Sequence, residues 1–307
     1  MKILKAIKEY GLIEGCKREI KQTLCSSVEN EREPKIVNIK SQYGEFYLVE
    51  NDAISQGIIN GGNWEEHFQK VVTSFLPKNA NAIDLGANFG FHSIWLGKYL
   101  EDGQVFSFEP LSLTYSQLQL NVIVNGLTAN VFPYKLAISD VTGSYVEMNK
   151  IKYGSQRNIN VGDTSIGKGG DATLTLKLDD LPLPKIDFMK IDIQGSEYKA
   201  LIGMANMIQR DRPLMFIEIE EHHLVKFGTS SKEVIEYLFS IDYVLLRIRT
   251  SYPTDHIAIP NEWGEETCQR MKATLEKDYP IDYLSGERIE LDFQEHPSYY
   301  SDYKINP

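Results

Sequence analysis

With 307 residues and 42% hydrophobic content, the chain is long enough for one large domain with additions, or for two small ones. A formal net charge of −11 argues against non-specific nucleic-acid binding, which needs basic surface to displace counterions. The mean hydropathy of −0.30 is that of an ordinary globular chain, and no apolar run approaches the roughly 20 residues needed to span a bilayer.

Residues 1–33 place Ile3, Leu4, Ile7, Leu12 and Ile13 at near-helical spacing among lysines, with Gly11 and Gly15 interrupting. Two readings fit. One is a helix packed on the body or on a second subunit, as in a homodimer held through its terminal segments. The other is a basic amphipathic helix lying peripherally on a membrane. The N-terminus is charged from Lys2 onward and lacks a signal-peptide apolar region, so a cytoplasmic or cytoplasm-facing location is expected. Cys16, Cys25 and Cys268 form no CxxC pair and read as free thiols in a reducing compartment. The expected division is a helical segment over 1–34, a main domain over 35–260 and a C-terminal extension over 261–307.

Residues 35–60 read as strands, with "KIVNIKSQYGEFYLVEN" alternating about a "QYGE" turn as a hairpin does. "NWEEHFQKVVTSFL" (63–76) reads as a helix with Asn63 as N-cap and Glu66 three residues on. From residue 80 the chain alternates. Strands are expected over 80–85, 104–109, 130–138, 186–192, 214–219, 243–249 and 256–259. Helices are expected over 89–101, 112–125, 196–209 and 231–239. This alternation predicts an α/β fold: a mostly parallel seven-stranded sheet with helices on both faces, preceded by the N-terminal hairpin and helix. The glycines of 162–182 suggest a mobile loop or hairpin insertion. Residues 261–307 are acidic and tyrosine-rich, and are expected to wrap the body or contribute to a pocket.

In such a sheet, ligands bind beyond the carboxyl ends of the strands. "DLGANFG" follows the first strand. Its glycines, Gly86 and Gly90, do not fit GxGxxG, so a nicotinamide-dependent oxidoreductase is disfavoured. Asn88 can still hold a left-handed turn while adding a polar side chain. Glu109 stands about 20 residues after that turn, where an acid binds ribose hydroxyls; its alternative role is to cap the next helix. Ser139 and Asp140, after the third strand, fit either an adenine contact or an ordinary turn. Asp192 ends the fourth strand and should point into the crevice, whereas Glu197 fits the first turn of the next helix. Glu220, Glu221, His222 and His223 cluster after the fifth strand. The cluster suits a general base, with a metal site or a solvated helix start as alternatives. A metal is disfavoured because adjacent histidines are expected to point in different directions.

"AIDLGANFGFHSI", "VFSFEP", "LAISD", "LKLDDL" and "IDFMKIDIQGSEYKAL" resemble, in order and spacing, the FkbM-family methyltransferases over about residues 60–260. The resemblance implies a Rossmann-like class I methyltransferase fold with S-adenosylmethionine as cofactor and S-adenosylhomocysteine as product. It implies O-methylation of a sugar or glycan hydroxyl, or of a polyketide or other small molecule. By position, Asp84, Gly86, Asn88, Gly90 and His92 would surround the methionine end, Glu109 the ribose, and Ser139 with Asp140 the adenine; Asp192 matches the family acid. Gln194 departs from the usual Glu. His222 and Asp192, then Glu220, are the candidate bases for an in-line displacement. A protein that keeps the fold only as a binding module is the remaining alternative.

Overall fold

The computed structural model describes residues 34–62, 64–151, 159–249 and 255–284. The expectations for residues 1–33, for Asn63 as a cap and for 285–307 lie outside them.

Strands β1 (Ile36–Ser41) and β2 (Gly44–Val49) form the expected hairpin. The strand reading fails beyond it. Helix α1 (Ala53–Ile59) follows, because Asp52 caps it by accepting from the Ser55 amide at 2.9 Å. Helix α2 (Glu66–Phe75) then leads to β3 (Ala82–Leu85), α3 (Phe91–Tyr99), β4 (Val105–Phe108), α4 (Ser112–Val124) and β5 (Val131–Tyr134). The hairpin is held against α4 by Asn121 and Asn125, whose Oδ1 atoms accept from Tyr47 N (2.7 Å) and Glu45 N (3.1 Å).

The expected strand 130–138 divides. Its second part, β6 (Ala137–Ile138), leaves the main sheet and joins β7 (Tyr145–Asn149), β8 (Ile166–Gly167) and β9 (Gly169–Leu176) in a four-stranded sheet, order β6-β9-β7-β8. The glycine-rich insertion therefore contains ordered strands. After β10 (Phe188–Ile191), the expected helix 196–209 is two: α5 (Glu197–Gly203) and α6 (Ala205–Asp211). There Gly203 packs so tightly that a Cβ would stand 1.9 Å from the Ser139 carbonyl oxygen. Next come β11 (Leu214–Glu218), α7 (Glu221–Leu224), α8 (Ser231–Ser240), β12 (Tyr243–Ile248), β13 (Asp255–Pro260), α9 (Gly264–Leu275) and β14 (Ile281–Leu284).

The main sheet has eight strands, order β14-β12-β13-β11-β10-β3-β4-β5. The run β11-β10-β3-β4-β5 is parallel, and β13, β12 and β14 continue it antiparallel. This is the Rossmann-like α/β class expected, with one strand more. That strand, β14, lies in the segment read as an extension, as does α9, which packs its Cys268, Met271 and Leu275 into the core.

The pleat sends alternate residues to opposite faces. On one face Ala82, Phe188, Leu214 and Phe216 join Phe68, Val71, Val72, Ile94 and Leu118. On the other, Ile83, Leu85, Met189, Ile191, Met215 and Ile217 join Leu201, Ile208, Val234 and Leu238. On the Phe68 face the same alternation brings Asp84, Lys190, Asp192, Glu218 and Glu220 toward the carboxyl ends of β3, β10 and β11. The strand order reverses between β3 and β10, and there the site opens.

Candidate active site

A single cavity of about 680 Å³ lies at this point, reaching from the turn after β3 to the loop after β11. The turn has three residues at positive φ: Gly86 (77°), Asn88 (51°) and Gly90 (93°). A Cβ on Gly86 would stand 1.8 Å from the Asp192 carbonyl oxygen, so the first glycine is needed for the close passage of two strand ends. Asn88 adopts the left-handed backbone expected of it. Its Oδ1 accepts from Phe89 N at 2.8 Å, and its own backbone N donates to Glu109 Oε2 at 2.8 Å. Helix α3 then opens at Gly90 with no side-chain cap.

Glu109 is buried and lines the cavity. Its Oε1 accepts from Leu111 N (2.9 Å) and the Thr114 hydroxyl (2.8 Å). Desolvation pushes its pKa up to about 6, against the lowering effect of these bonds and that from Asn88. The carboxylate thus joins the glycine turn to the start of the next helix, and both expected roles, cap and cavity acid, meet in one side chain.

Other expected residues divide. Gly86, Asn88, His92, Glu109, Asp192, Glu220 and His222 line the cavity. Asp84, Gly90, Ser139 and Asp140 do not. Asp84 is fully buried beneath the turn, accepting from Ser93 Oγ at 2.6 Å and standing opposite Lys190 in the sheet register. Gly90 faces α4, where a Cβ would stand 2.5 Å from Leu118 Cδ1. Ser139 and Asp140 are drawn away because β6 pairs with β9, and their side chains bond each other at 3.0 Å. The cavity wall on that side is apolar: Phe108, Leu111, Ala137, Ile138, Met148 and Ile166.

The opposite end is densely charged. Lys190, a buried lysine in a central strand, donates to Asp192 Oδ2 at 2.7 Å. Although burial opposes its charge, the nearby Asp192, Glu65 and Asp84 hold its pKa above the ordinary lysine value. Gln194, at φ 54°, donates through Nε2 to Asp192 Oδ1 (2.9 Å) and to Glu218 Oε2 (3.0 Å). An amide at the departure from the family pattern therefore links two acids that a third carboxylate would repel. Burial, then Asp192, pushes the Glu218 carboxyl well above the usual range. His67 Nε2 lies 2.8 Å from Asp255 Oδ2, and His92 Nε2 lies 3.0 Å from Glu65 Oε2. Burial opposes the charge of Glu65, yet His92 and Lys190 hold its pKa far below the ordinary value.

After β11, Glu220 Oε1 contacts His222 Nδ1, and Glu220 Oε2 is 3.4 Å from His223 Nε2. Desolvation, then Asp163, pushes the buried Glu220 up to about 8. Burial, then His223 and Lys226, pushes His222 down. The two imidazoles do not diverge as expected of sequence neighbours. They lie within the short helix α7, and their rings stand 3.9 Å apart between centroids. Asp163, from the loop before β8, completes the group, its Oδ1 3.0 Å from His223 Nε2. Glu221 turns away to accept from Ser231 N at 2.6 Å.

The family model for the Methyltransferase FkbM domain matches residues 84–245, just over half of the chain. The chain belongs to the FkbM methyltransferase family. The match runs from Asp84, before the glycine turn, through Glu109, Lys190, Asp192, Glu218 and the Glu220–His223 group to β12. Methyltransferase sdnD of Sordaria araneosa is 22% identical over 194 residues, which are 51% of this chain and 75% of that protein. Among solved structures, Methyltransferase FkbM from Methylobacillus flagellatus KT is similar at 19% identity and a TM-score of 0.44, covering 62% of this chain and 47% of that one. TrmK of M. capricolum in complex with S-adenosylhomocysteine is similar at 12% identity and a TM-score of 0.36, covering 64% of this chain and 67% of that one. Family membership rests on the domain match. Among the described residues, no helix is long and apolar enough to cross a membrane.

In this FkbM-family methyltransferase Glu65, His67, Asp163, Lys190, Glu218 and Asp255 also line the cavity, and none of them belongs to a motif of the sequence that marks it as a site residue. Two left a usable signal. "FIEIE" alternates with period two, so Glu218 must share a face with Glu220. A lysine inside the apolar run "FMKI", two residues before Asp192, shares that acid's face in the same way. Asp163 comes from the loop before β8, Glu65 from the residue that caps α2, His67 from the first turn of α2 and Asp255 from the first residue of β13, and only the fold brings these together.

Proposed function

We propose that the chain transfers a methyl group from S-adenosylmethionine to a hydroxyl of a sugar or glycan. The observation that carries this reading is the single cavity joining the Gly86–Asn88 turn and Glu109 to the acid and histidine cluster around Asp192 and Glu220. The residues present fit the cofactor. Gly86 leaves room where a Cβ would block the turn, and Glu109 is a buried carboxylate facing the cavity with acceptor capacity beyond its three bonds. When bound, S-adenosylmethionine supplies an electrophilic methyl on a cationic sulfonium.

The chain's own residues would then act as follows. Glu109 accepts from ribose hydroxyls, and the apolar wall of Phe108, Leu111 and Ile138 covers the adenine. Asn88 and His92 stand beside the amino-acid end. Asp192, oriented by Lys190 and Gln194, would face the sulfonium end of the cofactor. Glu220, buried and lining the cavity, takes the hydroxyl proton on Oε2 once ionised; it is favoured over Asp192, both of whose oxygens are held by Lys190 and Gln194, and over His222, whose Nδ1 contacts Glu220 Oε1. Proton transfer of this kind contributes about 100- to 10,000-fold. Placement of the hydroxyl contributes up to about 7–11 kcal/mol of the barrier.

The acceptor end supports a polyol over an apolar polyketide. Glu218, Asp255 and His67 offer hydrogen-bonding groups, beside the aromatic faces of Trp64 and Tyr279. The test is a screen of sugar nucleotides and oligosaccharides with labelled methyl donor. Transfer to at least one sugar, lost on Glu220→Gln, is expected. Transfer to non-sugar hydroxyls alone would contradict the acceptor class, and full turnover by Glu220→Gln would contradict the base.

A further inference from the structure

The geometry points to a divalent transition-metal site formed by Asp163, His222 and His223 at the acceptor end of the cavity. Each residue offers one ligand atom, and the three atoms all lie within 4.8 Å of one another. With metal–ligand bonds of about 2.0–2.2 Å, two ligands of one ion stand at most about 4.4 Å apart, so only a small adjustment is required. Asp163 can supply it, because its side chain is 51% exposed on a loop, while His223 is fixed by burial.

Three further features suit an ion. The group lines a cavity, so positions beyond the protein ligands open toward substrate, as a catalytic rather than a structural site requires. Glu220 contacts His222 Nδ1, the carboxylate–histidine arrangement that orients metal-binding imidazoles. Lys226, whose Nζ lies 3.4 Å from His223 Nδ1, is exposed and able to withdraw. The donor set decides the ion. Two imidazoles and one carboxylate select zinc, manganese, iron(II) or cobalt over magnesium or calcium, which prefer all-oxygen shells.

That the ion binds is independent of the methyltransferase reading; what it does there rests on that reading. The ion takes the acceptor hydroxyl as a further ligand and raises its acidity. In the transfer the O–H bond breaks and its proton passes to Glu220 Oε2. The hydroxyl oxygen forms its bond to the methyl carbon, and the C–S bond breaks with its electron pair returning to sulfur.

The test is calorimetric titration of the chelator-treated full chain with Zn2+, Mn2+ and Co2+, with S-adenosylhomocysteine titrated in parallel. One ion per chain is expected. Binding should weaken by about 10- to 100-fold on Glu220→Gln, the range for loss of a supporting carboxylate, and by more on Asp163→Asn or His222→Ala. Co2+ should add visible absorption bands that vanish in His222→Ala. Asp163→Asn alters a half-exposed loop residue, so it tests the site even if His222→Ala folds poorly. A chain that binds S-adenosylhomocysteine but none of the three ions, or ion binding unchanged in Asp163→Asn, overturns the metal site. Ion binding without S-adenosylhomocysteine binding upholds the metal site and overturns the cofactor reading instead.

Discussion

Asn88 carries two functions in one residue: a backbone at φ 51° and a side chain that closes onto the Phe89 amide. Replacing it with glycine should preserve the fold, since glycine adopts that conformation freely, yet weaken cofactor binding. Asn88→Val should lose both, because a β-branched residue is strained there. Thermal unfolding and S-adenosylhomocysteine calorimetry on both variants check this, and equal behaviour would mean that the side chain only shapes the loop. Lys190 gives the sharper stability test. It is 3% exposed and lies among Asp192, Glu65 and Asp84. Lys190→Met would leave the buried Asp84 and the half-buried Asp192 and Glu65 without their cation, at a cost of about 3–5 kcal/mol in denaturant unfolding. A loss below about 1 kcal/mol would show those charges to be well solvated. Asn88 was legible in sequence because residue type and flanking glycines specify its backbone. The pairing of Lys190 was not, since it depends on which strands become neighbours.

At the scale of elements, periodicity revealed what was locally encoded. The hairpin and the strands and helices from 80 onward follow from alternation and helical spacing. Helix α1 was hidden because it has two turns and begins only a few residues after β2, and α9 because its three buried residues stand in an acidic, polar stretch. The division of 130–138 was illegible too: β6 joins β9, which lies more than 30 residues on, and no local pattern states that pairing. This displacement explains why Ser139 and Asp140 miss the cavity. Helix α2 supplies the element-scale prediction. Its Phe68 is fully buried, with edge contacts to Trp95, Phe188 and Phe216 and its ring 4.4 Å from that of His92. Phe68→Ala should cost about 3–5 kcal/mol in unfolding experiments. Because Phe68 also supports His92 at the cavity wall, cofactor binding should weaken in the folded fraction.

For the whole molecule, the acidic balance is partly internal, with buried carboxylates gathered at the ends of the central strands. Glu197 links this to pH. It is buried, its Oε1 accepts from Ile193 N and Gly195 N, and desolvation pushes its pKa from 4.5 to about 7. A carboxyl whose pKa is raised on folding binds more protons folded than unfolded. Its contribution is therefore fully present below pH 4.5 and is lost as pH rises through 7. Glu197→Gln, which keeps the accepting oxygen, should flatten the fall in stability between those values; an unchanged profile would contradict the assignment. Calorimetry with S-adenosylhomocysteine reads out whether this cavity holds the cofactor through Glu109. One molecule bound per chain is expected, and binding about 10- to 100-fold weaker in Glu109→Ala, as befits loss of hydrogen bonds to a charged group worth about 1.5–3 kcal/mol. No binding to the intact chain, or equal binding by the folded variant, would contradict it.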